Sequence, residues 1–242
     1  FDNALQTKTN VKSRKSDGAL KKRIATFFEA ILQEETNLLY AYIDPRNERS
    51  LWMSEQFGFK QMANIATQSF SRIRPRMQPE VHQVATNSNL KQWHQQIFGN
   101  HSLFFTKHTY NDAPWYYIGT IEDPIAMAKT YRANWVIEQL PGKSGKLLGK
   151  IIPYVPGVRK LIGTGEQQFT VMESVYCKPG KEKTLEKLLE GILHLESNHT
   201  LIWWVDENCA YYKNAKQKVN WGLLHKINGV NRVALVGKGK TD

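Results

Sequence analysis

The chain has 242 residues, carries 33 Lys+Arg against 22 Asp+Glu for a net charge of +11, and is 41% hydrophobic and 11% aromatic. That length predicts two domains, and the apolar fraction is enough to build packed cores. No run reaches the length of a membrane span, no basic-then-apolar leader opens the chain, and two cysteines, Cys177 and Cys209, are too few for a disulfide framework. The expectation is therefore a reduced, cytoplasmic protein without membrane attachment.

In chain order, the first twelve residues, from Phe1, are polar and poor in strand signals. Arg14, Lys15, Ser16, Asp17 and Gly18 then read as a basic, glycine-bearing turn. Behind it Leu20, Ile24, Phe27, Phe28 and Ile31 recur at helical spacing and predict one core-facing side, ending at Thr36 and Asn37. Ser16 or Asp17 can cap that helix, and Gly18 lets the chain enter the turn without a Cβ in the way. Lys12, Arg14, Lys15, Lys21, Lys22 and Arg23 flank the helix start. Cations, free amides and the helix dipole together suit a phosphate there, and the plainer alternative is a solvated basic face.

Residues 38–43 follow as an apolar strand. Beyond the Asp44-Pro45 turn, Asn47, Ser50 and Ser54 stand at i, i+3 and i+7, a narrow polar stripe on a helix against which a thin, extended ligand could lie. Met53 and Phe57 sit beside that stripe and point inward. Gly58 is placed to end the helix in a left-handed cap before Phe59.

The segment Asn47-x-x-Ser50-x-x-Met53-Ser54-x-x-x-Gly58-Phe59 resembles the second motif of the GNAT acyltransferase superfamily, Asn-x-x-Ala-x-x-Leu-Tyr-x-x-x-Gly-Phe, with matching spacing throughout. The resemblance implies a fold that binds acetyl-CoA or another acyl-CoA. It implies that Arg14, Lys15, Gly18 and Ala19 hold the CoA pyrophosphate, and that Asn47, with Ser50 and Ser54, lies along the pantetheine arm. Two departures stand out. Asp17 occupies a position where the family's glycine-rich turn has Gly, and Ser54 occupies the position of the Tyr that many members use as general acid. A serine hydroxyl is a far weaker acid than a phenol, so that role does not carry over. A complete GNAT domain has further strands and helices ahead of the glycine-bearing turn, so this resemblance covers the C-terminal part of one.

Further on, residues 62–72 alternate as the last strands of the first unit. Residues 74–80, with Pro75 and Pro79, read as a linker, and residues 88–98 as a short helix docking between the halves, with Leu90, Trp93, Ile97 and Phe98 apolar. His82, His94 and His101 follow no metal-ligand spacing, and no metal is expected. Residues 103–106 and 115–118 predict a hairpin, and residues 126–139 a longer strand stopped at Pro141-Gly142. The basic stretch 145–161 lacks the glycine spacing of a nucleotide loop and reads as short helices at 146–152 and 158–162. Asn198-His199-Thr200 fits a glycosylation sequon, which we take as chance at a helix-to-strand junction.

The end of the chain echoes its beginning. Glu29 through Asn37 to the strand ending at Asp44 is repeated by Glu190 through Asn198 to the strand ending at Asp206, with Leu185, Leu188, Leu189, Ile192 and Leu195 giving the helix period. In this alignment Gly180 matches Gly18, Asn208 matches Asn47, and Gly222 matches Gly58. Tyr211 and Tyr212 fall where the small residues lined the stripe, so bulky rings would obstruct a pantetheine arm there.

The expectation is an α+β protein with two GNAT-like units in tandem, each a mixed β-sheet flanked by helices. Residues 1–73 form the C-terminal part of a GNAT acetyltransferase domain, 74–100 a linker and docking helix, and 101–242 a second GNAT-like domain without CoA. The resemblance implies transfer of an acyl group from acetyl-CoA or another acyl-CoA to a small-molecule or peptide amine, and the sequence names no catalytic base. The alternative is a GNAT-like protein that binds a ligand or partner without catalysis. The positive charge also suits nucleic acid, but no nucleic-acid-binding motif accompanies it, and no such partner is expected.

Overall fold

The structure, a computed structural model, describes residues 16–34, 37–101, 113–138, 152–161 and 165–240. It is an α+β fold whose eight strands belong to one mixed sheet with helices packed on it. The chain divides into two compact units, Phe1–Ala63 with Val233–Asp242, and Asn64–Arg232.

The first unit contains α1 (Ser16–Glu34), β1 (Leu38–Ile43) and α2 (Glu48–Gln56). It also takes the start of β2 (Lys60–Ser71) and most of β8 (Asn231–Gly239). β1 runs antiparallel to β8, from Leu38 opposite Gly239 to Ile43 opposite Ala234. On α1 the covered arc has Leu32 buried and Ile24, Phe28 and Ile31 half-buried beside it, and the Phe28 ring meets Phe57 and Phe59 edge-on at 5.6 and 5.4 Å. Leu20 and Phe27, expected in the core, are 60% and 59% exposed. At 3.6 residues per turn they stand on the flank of that arc, and the apolar run is wider than the surface available to cover it.

The second unit contains β3 (His82–Val84), α3 (Ser88–Phe98), β4 (Trp115–Gly119), β5 (Pro124–Ile137), β6 (Gly165–Cys177) and α4 (Glu182–Leu195). β7 (Thr200–Asp206), α5 (Ala210–Lys218) and α6 (Leu223–Asn228) complete it, and its strand order is β2-β7-β6-β5-β4-β3. β6 and β7 pair in parallel, over Thr170–Leu201 to Met172–Trp203, because α4 carries the chain back between them. Leu185, Leu188, Leu189, Ile192 and Leu193 of α4 are fully buried and form the centre of the unit's core, while Leu195 is 48% exposed.

All eight strands share one sheet, so two GNAT-like units with separate sheets are not shown. β2 has twelve residues, and the part beyond Asn64 pairs with β7 from Ile65 opposite Asp206 to Ser71 opposite Thr200. A strand read as the end of the first unit thus runs on into the second, where it pairs with β7. Residues 74–80, read as a linker, are irregular and lie within the second unit. The hairpin arm at 103–106 and the helix at 146–152 fall wholly or almost wholly outside the described residues, and Val158–Lys160 is a single 3-10 turn. Asn198 is buried with its Nδ2 donating to Thr170 Oγ1 at 3.1 Å, which closes the sequon to modification in the folded state. Among the described residues no helix is long and apolar enough to cross a membrane.

Candidate functional site in the first unit

The site begins with a turn that the sequence sets locally. Asp44 Oδ1 accepts from the Arg46 backbone N–H at 2.9 Å, and the Arg46 guanidinium closes on the same carboxylate. The Arg46 side chain, and then its backbone N–H, hold the Asp44 carboxyl down at about 2. The turn delivers Asn47 to the start of α2, where its Oδ1 accepts from the Ser50 N–H at 3.1 Å. Ser50 and Ser54 then lie along one side of α2, both half-buried. Ser54 Oγ donates back to the Leu51 carbonyl at 2.7 Å. Its hydroxyl is therefore committed to its own helix, and what the stripe offers a ligand is low bulk together with the outward Nδ2 of Asn47. Gly58 takes φ +81°, the left-handed conformation expected of it, and turns the chain toward β2.

The start of α1 differs from expectation. Gly18 lies within the helix and has no left-handed φ, so it is not a turn residue. It is exposed, and a Cβ added there would meet nothing within 4 Å. Ala19 is exposed beside it. Arg14 and Lys15 lie outside the described residues. Of the flanking cations, Lys21 Nζ donates to Gln56 Oε1 at 3.0 Å and stands 6.0 Å from the Trp52 ring. Lys21 of α1 thus meets α2 at Trp52 and Gln56, which the helical period sets well round the axis from Ser50 and Ser54. The structure brings Asn47, Ser50 and Ser54 together on one helix. Among the described residues no hydrogen bond joins Gly18 or Ala19 to them.

In the second unit the corresponding place is filled. α5 repeats α2 at the same nine-residue length, Ala210 answering Glu48 and Lys218 answering Gln56. At that offset Cys209, not Asn208, stands at the Asn47 position, and Asn220, not Gly222, at the Gly58 position. The displacement at Cys209 arises upstream, because β7 has seven residues where β1 has six. Tyr212 answers Ser50 and Tyr211 answers Arg49, so only Tyr212 takes a stripe position. It is fully buried and donates to Gln68 Oε1 at 3.2 Å. Nearby, Tyr211 meets Tyr176 at 5.3 Å and Phe98 at 6.2 Å. The start of α4, the counterpart of α1, is occupied by a carboxylate of the chain itself: Glu182 Oε1 accepts from the Gly180 N–H at 3.1 Å and Oε2 from Lys218 Nζ at 3.2 Å. Backbone donors, the Glu182 amide first, lower that carboxyl's pKa.

Sequence reading missed two elements of the second unit, Glu182 and Gln68. Glu182 two residues after Gly180 is a helix-start signal that could have been found. The buried Gln68 carries no such signal, because alternation along a strand does not reveal a polar core position. His94 is buried on α3, with Nε2 2.8 Å from Ser174 Oγ. Ser174 has φ +49° within β6. Burial first, then Lys129 and His101, push the His94 pKa down to about 4. An imidazole so desolvated beside a cation is neutral at pH 7 and a weak proton acceptor, which suits a hydrogen bond that fixes an irregular strand better than a general base. Among the described residues no group of His, Cys, Asp or Glu is arranged to hold a metal ion.

No family model matches the chain, and no curated protein matches it. Among solved structures it is similar to a GCN5-related N-acetyltransferase from Sphaerobacter thermophilus, at 11% identity over 96% of this chain and 71% of that one, with a TM-score of 0.45. It is also similar to a functionally unknown conserved protein from Staphylococcus epidermidis ATCC 12228, at 8% identity over 93% and 81%, with a TM-score of 0.49. A GCN5-related N-acetyltransferase from Kribbella flavida matches at 9% identity over 91% and 76%, with a TM-score of 0.44.

Proposed function

We propose that the chain is an acyl-CoA-dependent N-acyltransferase, with acetyl-CoA the first candidate donor and a small-molecule or peptide amine the acceptor, working in the cytoplasm. The observation that carries this reading is the segment from Asn47 to Gly58. A side-chain-capped helix bears small groups at 47, 50 and 54 and ends on a left-handed glycine, at the spacing of the family motif that it resembles. The second unit has Tyr212 in the slim position and its own carboxylate at the helix start, so the reading places the nucleotide on the first unit and none on the second.

The residues present fit an acyl-CoA. Ser50 and Ser54 leave width for an extended pantetheine arm, and Asn47 Nδ2 can donate to one of its amide carbonyls. Open space at Gly18, with exposed Lys22 and Arg23 nearby in the chain, suits a diphosphate, to which Arg14, Lys15 and Ala19 would add. In the transfer a neutral amine attacks the thioester carbonyl, the C–N bond forms, the C–S bond breaks, and the thiolate leaves with the proton released by the amine. The chain's part is to bind and orient the donor, and no side chain of this site is assigned as general base or acid.

A second reading, ligand or partner binding without catalysis, is favoured by one observation: Ser54, at the place of the family's acid, gives its hydroxyl to Leu51. Thermal unfolding with CoA and with acetyl-CoA tests both readings. A ligand at about 100 times its Kd adds about 2.7 kcal/mol to the folded state and must raise Tm. A shift accompanied by release of free thiol in the presence of amines supports transfer, and a shift without release supports the second reading. No shift with either nucleotide overturns the CoA assignment. Retention on DNA or RNA that falls steeply with salt would instead direct attention to the net charge.

A further inference from the structure

We infer that Lys238 is a positioning residue for the acyl-CoA site, fixing α2 against α1 and so setting where the Asn47–Ser54 stripe stands. The inference rests on the acyl-CoA reading. Lys238 lies on β8 opposite Leu39, and its side chain is only 11% exposed. Its Nζ donates to the Phe57 carbonyl at 2.9 Å and to the Glu29 carboxylate of α1. Phe57 is the C-cap of α2, where free carbonyls and the negative end of the dipole favour a cation.

α2 needs such a clamp. It has nine residues and none is fully buried, so neither its length nor its packing would hold it in place. Asn47 secures one end through its cap, and Lys238 secures the other while joining it to α1.

The corresponding position in the second unit shows that the fold itself does not require a lysine. Leu39 faces Lys238 as Leu201 faces Phe70, and Phe70 is a fully buried ring set edge-on to Trp221 at 6.3 Å. The unit with the filled stripe closes this place with an apolar ring. The unit with the slim stripe places a largely buried, ion-paired lysine there. Such a pair is a weak source of stability compared with an apolar side chain of similar size, and its distinct contribution is to fix geometry.

The test measures acetyl-CoA affinity by calorimetry, with KM and kcat, for the full chain and for Lys238→Met, Lys238→Arg and Glu29→Gln. Lys238→Met is expected to raise Kd and KM at least tenfold while kcat stays within twofold. Lys238→Arg should return Kd to within threefold of the parent, and Glu29→Gln should raise it by less than Lys238→Met does. Backbone amides of α2 should exchange faster in Lys238→Met, with those of α4 unchanged. If the parent binds acetyl-CoA and Lys238→Met binds it equally well, the inference falls and the acyl-CoA reading stands. If the parent itself does not bind, both fall. Should Lys238→Met fail to fold, Glu29→Gln decides the matter, and an unchanged Kd there overturns the inference.

Discussion

Asp44 and Asp206 close the same turn. In each, Oδ1 accepts from the N–H two residues on, Arg46 at 2.9 Å and Asn208 at 3.0 Å, and the carbonyl accepts from the N–H three residues on, Asn47 at 2.8 Å and Cys209 at 2.9 Å. The local instruction is identical, and its consequence diverges at the next residue: Asn47 caps α2 with its side chain, while Cys209 makes no such bond to α5.

The Asp44 turn has a titration signature. With Arg46 holding the carboxyl at about 2, its contribution to the fold is complete above the ordinary carboxylate range and is lost as pH falls toward 2. Carboxyl carbon shifts followed by NMR should show Asp44 titrating below the other aspartates, and Arg46→Ala should move it up toward 3.8. An Asp44 titrating near its ordinary value in the parent chain would contradict the ion pair.

Introducing the second unit's ring into the first should block the site. Ser50→Tyr reproduces Tyr212 at a half-buried position, so stability should change by less than about 1 kcal/mol. The acetyl-CoA-induced rise in Tm should disappear. Ser50→Ala, which keeps the width, should retain most of it.

Tyr212→Phe removes a hydroxyl from a fully buried site and leaves Gln68 Oε1 without that donor. Urea unfolding should show a loss of about 1–3 kcal/mol, the cost of an unsatisfied buried polar group. Replacing Gln68 with Leu as well should recover part of it, because both polar partners are then gone.

His94 makes acid destabilising. The unfolded chain takes up a proton near 6.5, and the folded chain only near 4, so protonation between those values favours unfolding. The stability linked to His94 is complete above 6.5, declines as pH falls to about 4, and reaches a total loss of about 3 kcal/mol below it. His94→Gln, which can still bond Ser174, should flatten denaturation curves over that window.

Gly58→Ala tests the left-handed cap. The added Cβ would meet only ordinary contact, with Lys238 Nζ 3.5 Å away, so the cost comes from φ +81° alone. That cost is about 1–2 kcal/mol, read as a lower Tm without loss of the folded state.

The sequence by itself determined what short-range chemistry controls. It specified the strand at 38–43, the Asn47 stripe, the left-handed Gly58, and the α4 period at Leu185, Leu188, Leu189 and Ile192, because helix period, caps and turns are set within a few residues. Only the tertiary structure decided the rest. It left Leu20 and Phe27 exposed, since an amphipathic run shows which face could be buried and not how much of it a neighbour covers. It carried β2 onto β7, a pairing between strands far apart in sequence that no local pattern encodes. It shifted the correspondence from Asn208 to Cys209 and from Gly222 to Asn220, because the extra residue of β7 and the bounds of α5 are fixed only by the strand and helix registers. It also brought Lys238 to the end of α2, a long-range contact in which the chain's last strand reaches the helix that its sequence had already drawn.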